Sequence, residues 1–225
     1  TIAAGAISRT MLKTFHVPDN LKTSGWSSTS SGGNSNSEME CFTGKHVSED
    51  GRCIILDNIL CAFAPQKMTN YTIPKGVVGI GQGAFREYSE LESIVLTEGL
   101  EDIQDAAFQE CKNLKSVTFP LSLQSIGETA FEGCYSIEGF YGNEKFHSSD
   151  NRCLIHTSGI ANEPNTYGKW IQLFAGNGLS EYAIPEGIVG IGEEAFVGNN
   201  ALKSLTLPSS LMYISSSAFG SHEAN

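Results

Sequence analysis

The residues able to do chemistry in this sequence are six cysteines, five histidines and a phrase, Ser-x-Asp-x-Arg-Cys, that occurs at Ser48 to Cys53 and again at Ser148 to Cys153. An Asp two residues from an Arg reads in two ways. It is either an acid–base or carboxylate-binding pair, or a turn-forming Asp that bonds back to the chain and pairs with the Arg. Asp50 with Arg52 and Asp150 with Arg152 recur at an offset of 100 in different surroundings, which favours architecture over chemistry. No histidine has a partner at metal-ligand spacing, and His16, at an outward strand position, is the one worth testing as a ligand. Cys-x-x-Cys, His-Glu-x-x-His, Gly-x-Ser-x-Gly and a phosphate-cradling glycine loop are all absent from the sequence. The chain is therefore expected to be no enzyme and to hold no metal or cofactor.

The cysteines divide by position. Cys111 and Cys134 are 23 residues apart. Stacked strands bring such sites to roughly 5 Å, within disulfide range. Both side chains would point the same way into a core, however, so buried free thiols are expected. Cys53 and Cys153 occupy equivalent apolar sites and read alike. Cys41 and Cys61 occur only near the first phrase, and an oxidising compartment leaves a disulfide open to them.

What positions these residues is a repeat. Ile-x-x-x-Ala-Phe occurs five times, ending at Phe85, Phe108, Phe131, Phe196 and Phe219, with a spacing of 23 within each run. Leu91, Leu114, Ile137 and Leu202 follow the first four of these Phe by six residues. Ile94 and Leu96, Val117 and Phe119, and Leu205 and Leu207 come next, and Pro120 and Pro208 close the last two of these segments. Ile-x-Leu reads as a strand with alternate side chains inward, and proline ends its ladder. The Ala-Phe pair reads as a short turn on the opposite wall. Gly79, Gly81 and Gly83, recurring in part as Gly190 and Gly192, read as structural turn glycines. No such repeat buries its apolar face alone, so each must stack on the next.

The expected fold is mostly β: a leucine-rich-repeat solenoid of 23-residue repeats with a parallel sheet, interrupted by two β-hairpin modules. As a single domain over 1–225 it comprises a partial or degenerate repeat (1–23), a flexible Ser-rich loop (24–38), a first hairpin module (39–72), repeats (73–137), a second hairpin module with an insert (138–183) and further repeats (184–220). The second module carries 11 extra residues, placed within Thr157 to Gly168. Asp50-Gly51, Asp57-Asn58 and Asp150-Asn151 are the turn signals. The partial first repeat and the end just after Phe219 read as a piece of a longer array, or as ends capped by neighbours.

The phrase Ile-Pro-x-x-Val-x-x-Ile-Gly-x-x-Ala-Phe, at Ile73 to Phe85 and as Ile184 to Phe196 with Ile in the Val position, resembles the BspA-type (Treponema-pallidum-type) leucine-rich repeats. The intervening Ser-x-Asp-x-Arg-Cys modules resemble the Asp-Gly-Val-Leu segments between such repeats, with Cys in place of Val. The resemblance covers nearly the whole chain apart from Ser24 to Ser37. It implies an exported bacterial surface protein, with adhesin-like binding of a protein or glycan; members also occur in protist parasites.

Composition reads as a soluble, self-repelling surface and excludes other classes. A net charge of −11 argues against nucleic-acid binding and against docking on anionic lipid. No apolar run of about 18 residues exists to insert in a membrane, and no signal peptide stands at the first residue.

Outward residues flanking the strand cores form the candidate binding face on the expected concave wall. One column holds Thr14, Ser93, Ser116 and Ser204, and the next holds His16, Val95, Thr118 and Thr206 with Tyr141 near it. Lys13, Glu92, Lys115, Glu138 and Lys203 run beside them, with Glu92, Lys115 and Glu138 expected to pair. The wall lacks the aromatic platforms that grip a sugar ring or anchor a protein partner, and Trp26, Trp170, Tyr167 and Tyr141 lie in or near the loops and hairpins instead. The insert, with Tyr167 and Trp170, is therefore the alternative contact surface. The rival to a binding role is a structural spacer displaying another domain. Exposed solenoid ends also suggest end-to-end self-association.

Overall fold

The strand positions follow from side-chain alternation: each Ile-x-Leu or x-Ile segment buries one column and leaves the other outside. The structure, a computed structural model, describes residues 12–20, 39–158 and 167–220. Among the described residues every regular element is a strand: β1 (Thr14–His16), β2 (Cys41–Thr43), β3 (Cys53–Leu56), β4 (Ile59–Phe63), β5 (Asn70–Thr72), β6 (Gly79–Ile80), β7 (Ser93–Val95), β8 (Asp102–Ile103), β9 (Ser116–Phe119), β10 (Ser125–Ile126), β11 (Gly139–Gly142), β12 (Cys153–Ser158), β13 (Gly168–Phe174), β14 (Glu181–Ala183), β15 (Ile188–Ile191), β16 (Ser204–Thr206) and β17 (Tyr213–Ile214). The first degenerate segment up to residue 11, the Ser-rich stretch with Trp26, and residues 159–166 of the insert lie outside the described residues. The chain, read from sequence as one solenoid domain, divides into two units: Thr1–Leu114 with Pro120–Cys134, and Lys115–Phe119 with Tyr135–Asn225.

In the first unit each coil contributes two short strands. The expected Ile-x-Leu ladder appears as β5 and β7, parallel, with Tyr71 beside Ile94. A second parallel ladder, which the sequence had suggested only as a turn wall, runs β4, β6, β8 and β10 and aligns Leu60, Ile80, Ile103 and Ile126. The third wall, at Ala-Phe, is bonded as well: Phe85 N–H donates to Ala107 O (2.8 Å) and Phe108 N–H to Ala130 O (2.8 Å). Backbone pairing on all three walls leaves the interior free for apolar side chains.

The core of this unit is an aromatic stack. Phe85 and Phe108 lie 5.0 Å apart and Phe108 and Phe131 5.1 Å apart, with interplanar angles of 13° and 6°. Phe63 of β4 extends the stack at 4.7 Å from Phe85, although it belongs to the hairpin and not to an Ala-Phe phrase. The residue two beyond each Phe turns the chain into the next wall with positive φ: Glu87 (60°), Glu110 (62°) and Gly133 (76°). Only Gly takes that backbone without a Cβ clash.

The first hairpin is antiparallel β3–β4, turned at Asp57 (φ 49°) and Asn58 (φ 64°). Two positive φ values in a two-residue loop define the turn that matches strand twist. One hairpin face is covered by Val17, Met39 and Phe42 packed on Ile54, Leu56 and Cys61. The hairpin does not simply interrupt the repeats, because β4 pairs antiparallel with β3 on one side and parallel with β6 on the other.

The second unit repeats the scheme. Antiparallel β12–β13 leads into parallel β13–β15 and β15–β17, while β9 pairs with β11 and β14 with β16, both parallel. Phe174, Phe196 and Phe219 form its stack at 4.6 and 5.2 Å.

Phe108 is fully buried between two rings, so Phe108→Ala should lower unfolding free energy by about 3–5 kcal/mol, whereas Ile103→Val should cost about 0.5–1.5 kcal/mol. Chemical denaturation of both variants measures the difference. Equal effects would mean that the ring stack carries no special share of the core.

Candidate functional site

The outward strand residues lie where the alternation put them. Thr14 and His16 are exposed on β1, opposite Cys41 and Thr43, and His16 Nδ1 is 3.0 Å from Thr43 Oγ1. Lys13, one residue earlier, pairs with Glu40 at 3.2 Å. Ser93 and Val95 lie on β7 beside Asn70 and Thr72, and Ser93 Oγ donates to Asn70 Oδ1 at 2.6 Å. In the second unit, Ser204 and Thr206 stand beside Glu181 and Ala183. Ser116 and Thr118 stand beside Gly139 and Tyr141.

This last group has a feature that its neighbours lack. A Cβ at Gly139 would sit 2.6 Å from the Tyr141 hydroxyl and 2.9 Å from ring carbon Cζ. The tyrosine ring therefore lies back along its own strand over the space that Gly139 leaves empty. It remains 43% exposed, with Thr118 as its strand neighbour and Ser116 as the neighbour of Gly139. The outward face thus carries an aromatic platform flanked by two hydroxyls. An aromatic face with hydroxyls beside it suits a sugar ring or a peptide group.

The two aromatics read as an alternative contact surface separate. Tyr167 is 78% exposed, just before β13. Trp170 is not in a loop: it lies within β13 and is only 8% exposed. Its ring covers Gly190, its register partner on β15, and stacks on Tyr213 of β17 at 5.9 Å and 18°. Nothing local to Trp170 marks a glycine aligned between those two rings, so Trp170 is corrected from a contact residue to a packing residue.

The two Ser-x-Asp-x-Arg-Cys phrases build one arrangement twice. Ser48 Oγ donates to Asp50 Oδ1 (2.5 Å) and accepts from Cys53 N–H (2.8 Å). Arg52 N–H donates to Asp50 Oδ1 (3.0 Å), and the Tyr71 hydroxyl donates to Asp50 Oδ2 (3.0 Å) while lying 3.1 Å from Cys53 Sγ. In the second copy Ser148 donates to Asp150, the Tyr182 hydroxyl donates to Asp150 Oδ2 (2.8 Å), and Cys153 Sγ is 3.4 Å from that hydroxyl. The expected Asp–Arg pairing is replaced by carbonyl binding. Arg52 reaches Glu40 O (2.5 Å) and the Gln66 side-chain oxygen, and Arg152 reaches Glu138 O (3.1 Å) and Ala175 O (3.0 Å). Tyr71 and Tyr182 were the missed members. Their match at an offset of 111 was visible, but nothing local links them to an Asp some 20 to 30 residues earlier.

The electrostatics of this latch point away from nucleophilic chemistry. Burial pushes both Cys53 and Cys153 up to about 12, against the hydrogen bonds to Tyr71 and Tyr182. Burial also raises Asp50 and Asp150, but hydrogen bonds from Ser48 or Ser148, the Arg N–H and the Tyr outweigh it and hold both carboxyls below their usual value. Both thiols therefore stay protonated near neutrality, and a carboxylate with a lowered pKa is a weak base beside them. All six cysteines are free thiols; Cys111 and Cys134 point at Phe85 O and Phe108 O, both at 3.1 Å. Burial pushes Cys61 up to about 12, and only Cys41 is partly accessible.

Elsewhere in the first unit a shallow groove of about 330 Å³ is lined by Gln82, Asp102, Gln104, Asp105 and Ser125. Its polar groups bond one another: Ser125 Oγ to Asp102 at 2.5 Å and Gln82 N–H to Gln104 Oε1 at 3.0 Å. Among the described residues no group of three or more His, Cys, Asp or Glu is placed to hold a metal. No helix among them is long and apolar enough to cross a membrane.

Two outcomes follow for the latch and the thiols. Native protein treated with a thiol-reactive dye should titrate one cysteine, Cys41, and all six after unfolding; four reactive thiols in the unfolded, unreduced protein would establish a Cys41–Cys61 disulfide instead. Because the carboxyl pKa of Asp50 and Asp150 is lowered on folding, their ionised form adds stability above the unfolded value of about 3.9, and this is lost as pH falls through the folded value. Acid unfolding below about pH 4 should therefore be less steep in an Asp50→Asn, Asp150→Asn variant, as followed by circular dichroism.

The family model for the BspA type leucine rich repeat region matches residues 60–163 and 171–224 in six copies. Among solved structures, a leucine rich cell surface protein from Faecalibacterium prausnitzii is 25% identical over 68% of this chain, with a TM-score of 0.58. A leucine-rich repeat protein from Eubacterium ventriosum aligns with 98% of the chain at 19% identity, with a TM-score of 0.61. The chain spans 38% and 62% of the length of these two proteins. No curated protein matches it. With the family model covering most of the sequence and both units built from the stacked coils that its repeat dictates, the chain belongs to the BspA-type leucine-rich-repeat family.

Proposed function

We propose that this chain is part of a non-catalytic, exported bacterial surface protein, and that the outward face around Tyr141 binds a protein or glycan partner in an adhesin-like role. The observation that carries the reading is the Tyr141 ring laid over Gly139, exposed and flanked by Ser116 and Thr118. Rigid aromatic area with few side-chain torsions loses little entropy on binding, and adjacent hydroxyls supply direction. The strand backbone fixes the ring's position before the partner arrives, which lowers the cost of association. The surface location is supported by the description of the Faecalibacterium relative as a cell surface protein.

The spacer reading rests on a different observation: the chain spans 38% and 62% of the two structural relatives, so another part of a longer protein is the alternative holder of the binding function.

The test is a glycan and matrix-protein array probed with wild type and three variants: Tyr141→Ala, Ser116→Glu with Thr118→Glu, and Tyr167→Ala. Loss of an aromatic platform should weaken binding at least about tenfold, so Tyr141→Ala and the double Glu variant should lose the signal while Tyr167→Ala keeps it. Loss only in Tyr167→Ala would move the site to the insert. Absence of any wild-type signal from folded protein would favour the spacer.

A further inference from the structure

We infer that Asn177 is a modification site: the Asn177–Gly178 peptide converts spontaneously through a cyclic imide to aspartate and isoaspartate, with water as the only co-reactant.

This chemistry asks for a side chain that nothing holds, a following backbone N–H that is free to attack, and room for the peptide between them to turn. Gly follows Asn or Asp at two places in the sequence, Asp50-Gly51 and Asn177-Gly178. The first is locked. Its carboxylate accepts from Ser48, the Arg52 N–H and Tyr71, and the Gly51 N–H donates to Ser48 O (2.9 Å). The second is open. It forms the middle of the turn between β13 and β14, closed by Leu179 N–H donating to Gly176 O (2.8 Å). Of the two central residues only Gly178 has a positive φ (78°), the pattern of a type II turn. Both are exposed, and among the described residues neither makes a hydrogen bond. A Cβ on Gly178 would meet nothing within 4 Å. The frame around this peptide is fixed, because Gly176 N–H donates to Asn199 Oδ1 (3.0 Å) and Leu179 packs on the core cluster that contains Phe174 and Ile184.

The first hairpin module shows the same turn built without this property. At the offset of 111, Gln66 and Lys67 stand for Asn177 and Gly178, and Met68 N–H donates to Pro65 O at 2.8 Å as Leu179 does to Gly176. Both central residues there have positive φ, 41° and 58°. Gln66 is held twice: its N–H donates to Met39 O (3.2 Å) and its side-chain oxygen accepts from the Arg52 guanidinium. In the second module Arg152 turns to Glu138 O and Ala175 O, and Asn177 is left unheld.

The reaction balances with the groups present and water. The Gly178 nitrogen loses its proton and attacks Asn177 Cγ. A new N–Cγ bond forms, the Cγ–Nδ2 bond breaks, and the side-chain nitrogen leaves as ammonia with that proton. Glycine favours this step because no Cβ crowds the attacking nitrogen and the backbone is free to rotate. Water then opens the ring. Attack at Cγ breaks the new bond and gives aspartate. Attack at the Asn177 main-chain carbon breaks the original peptide bond and gives isoaspartate, with the chain now running through Cβ and Cγ. Either product adds one negative charge to a chain already at −11. Isoaspartate also adds a methylene to the main chain, inside a turn whose two ends stay anchored.

The test holds the intact, folded chain at mildly alkaline pH in water enriched in heavy oxygen. Digests are then read by mass spectrometry, with fragmentation that separates aspartate from isoaspartate. Asn177 should convert to a mixture of the two, each carrying one heavy oxygen. It should do so at least about tenfold faster than Asn70, Asn143 and Asn199, whose side chains are hydrogen-bonded and which no glycine follows. Gly178→Ala should slow the conversion at least about tenfold. Asn177→Gln, which copies the residue of the first module, should show none and keep the wild-type circular dichroism. Asp50 should form isoaspartate only after urea has opened its hydrogen bonds. An Asn177 that keeps its amide while the other three convert overturns the inference. So does aspartate formed without isoaspartate, because direct hydrolysis bypasses the ring, and so does a Gly178→Ala variant that converts at the wild-type rate.

Discussion

An aromatic ring placed every 23 residues and stacked about 5 Å from the next sets the pitch of both units. No coil buries its Phe without a neighbour on each side, so the stack couples each coil to the ones before and after it. The ring spacing matches the roughly 4.8 Å between hydrogen-bonded strands, so the stack and the bonded walls hold the same pitch. The same ring spacing brings Ile80, Ile103 and Ile126 into register on one wall and Cys111 and Cys134 beneath the preceding Phe carbonyls. At Phe219 and Ile214 the positions that are buried in the coil before, at Phe196 and Ile191, are half exposed.

Each hairpin joins this stack through its second strand. Phe63 and Phe174 take the place of the missing Ala-Phe ring, and Tyr71 and Tyr182 pack against them at 4.5 and 4.4 Å. Those tyrosines then reach back to Asp50 and Asp150, so the turn before the hairpin is tied to the strand after it. The buried thiol beside each hydroxyl fills space at the junction. Its raised pKa follows from that burial, and the hydrogen bonds of the phrase tie the turn to the strand that follows the hairpin.

Two glycines decide the fate of two aromatics. Gly139 lies two residues before Tyr141 on the same strand, and the ring folds along that strand with its outer face left open. Gly190 lies across the ladder from Trp170, and the ring spans it to meet Tyr213, closing its face. The distinction between a contact residue and a packing residue is thus a matter of which strand supplies the empty space, along the chain or across it.

The sequence by itself determined the coil. The 23-residue period, the inward Ile, Leu and Phe columns and the outward Thr14, Val95, Thr118 and Thr206 are consequences of alternation and repetition, which are local properties of the chain. The free, inward-pointing Cys111 and Cys134 follow from the same period. Tertiary structure decided what depends on register between distant segments. The Ile-Gly segments became a second ladder because stacking aligned strands of only two residues, too short to announce themselves. The Asp–Tyr latch needed residues 21 and 32 positions apart to meet, and Trp170 went from loop to packing because Gly190 and Tyr213 arrived beside it. A pattern within one coil is written in consecutive residues. A contact between coils depends on their alignment, and that is set by the ring stack and the backbone ladders acting together.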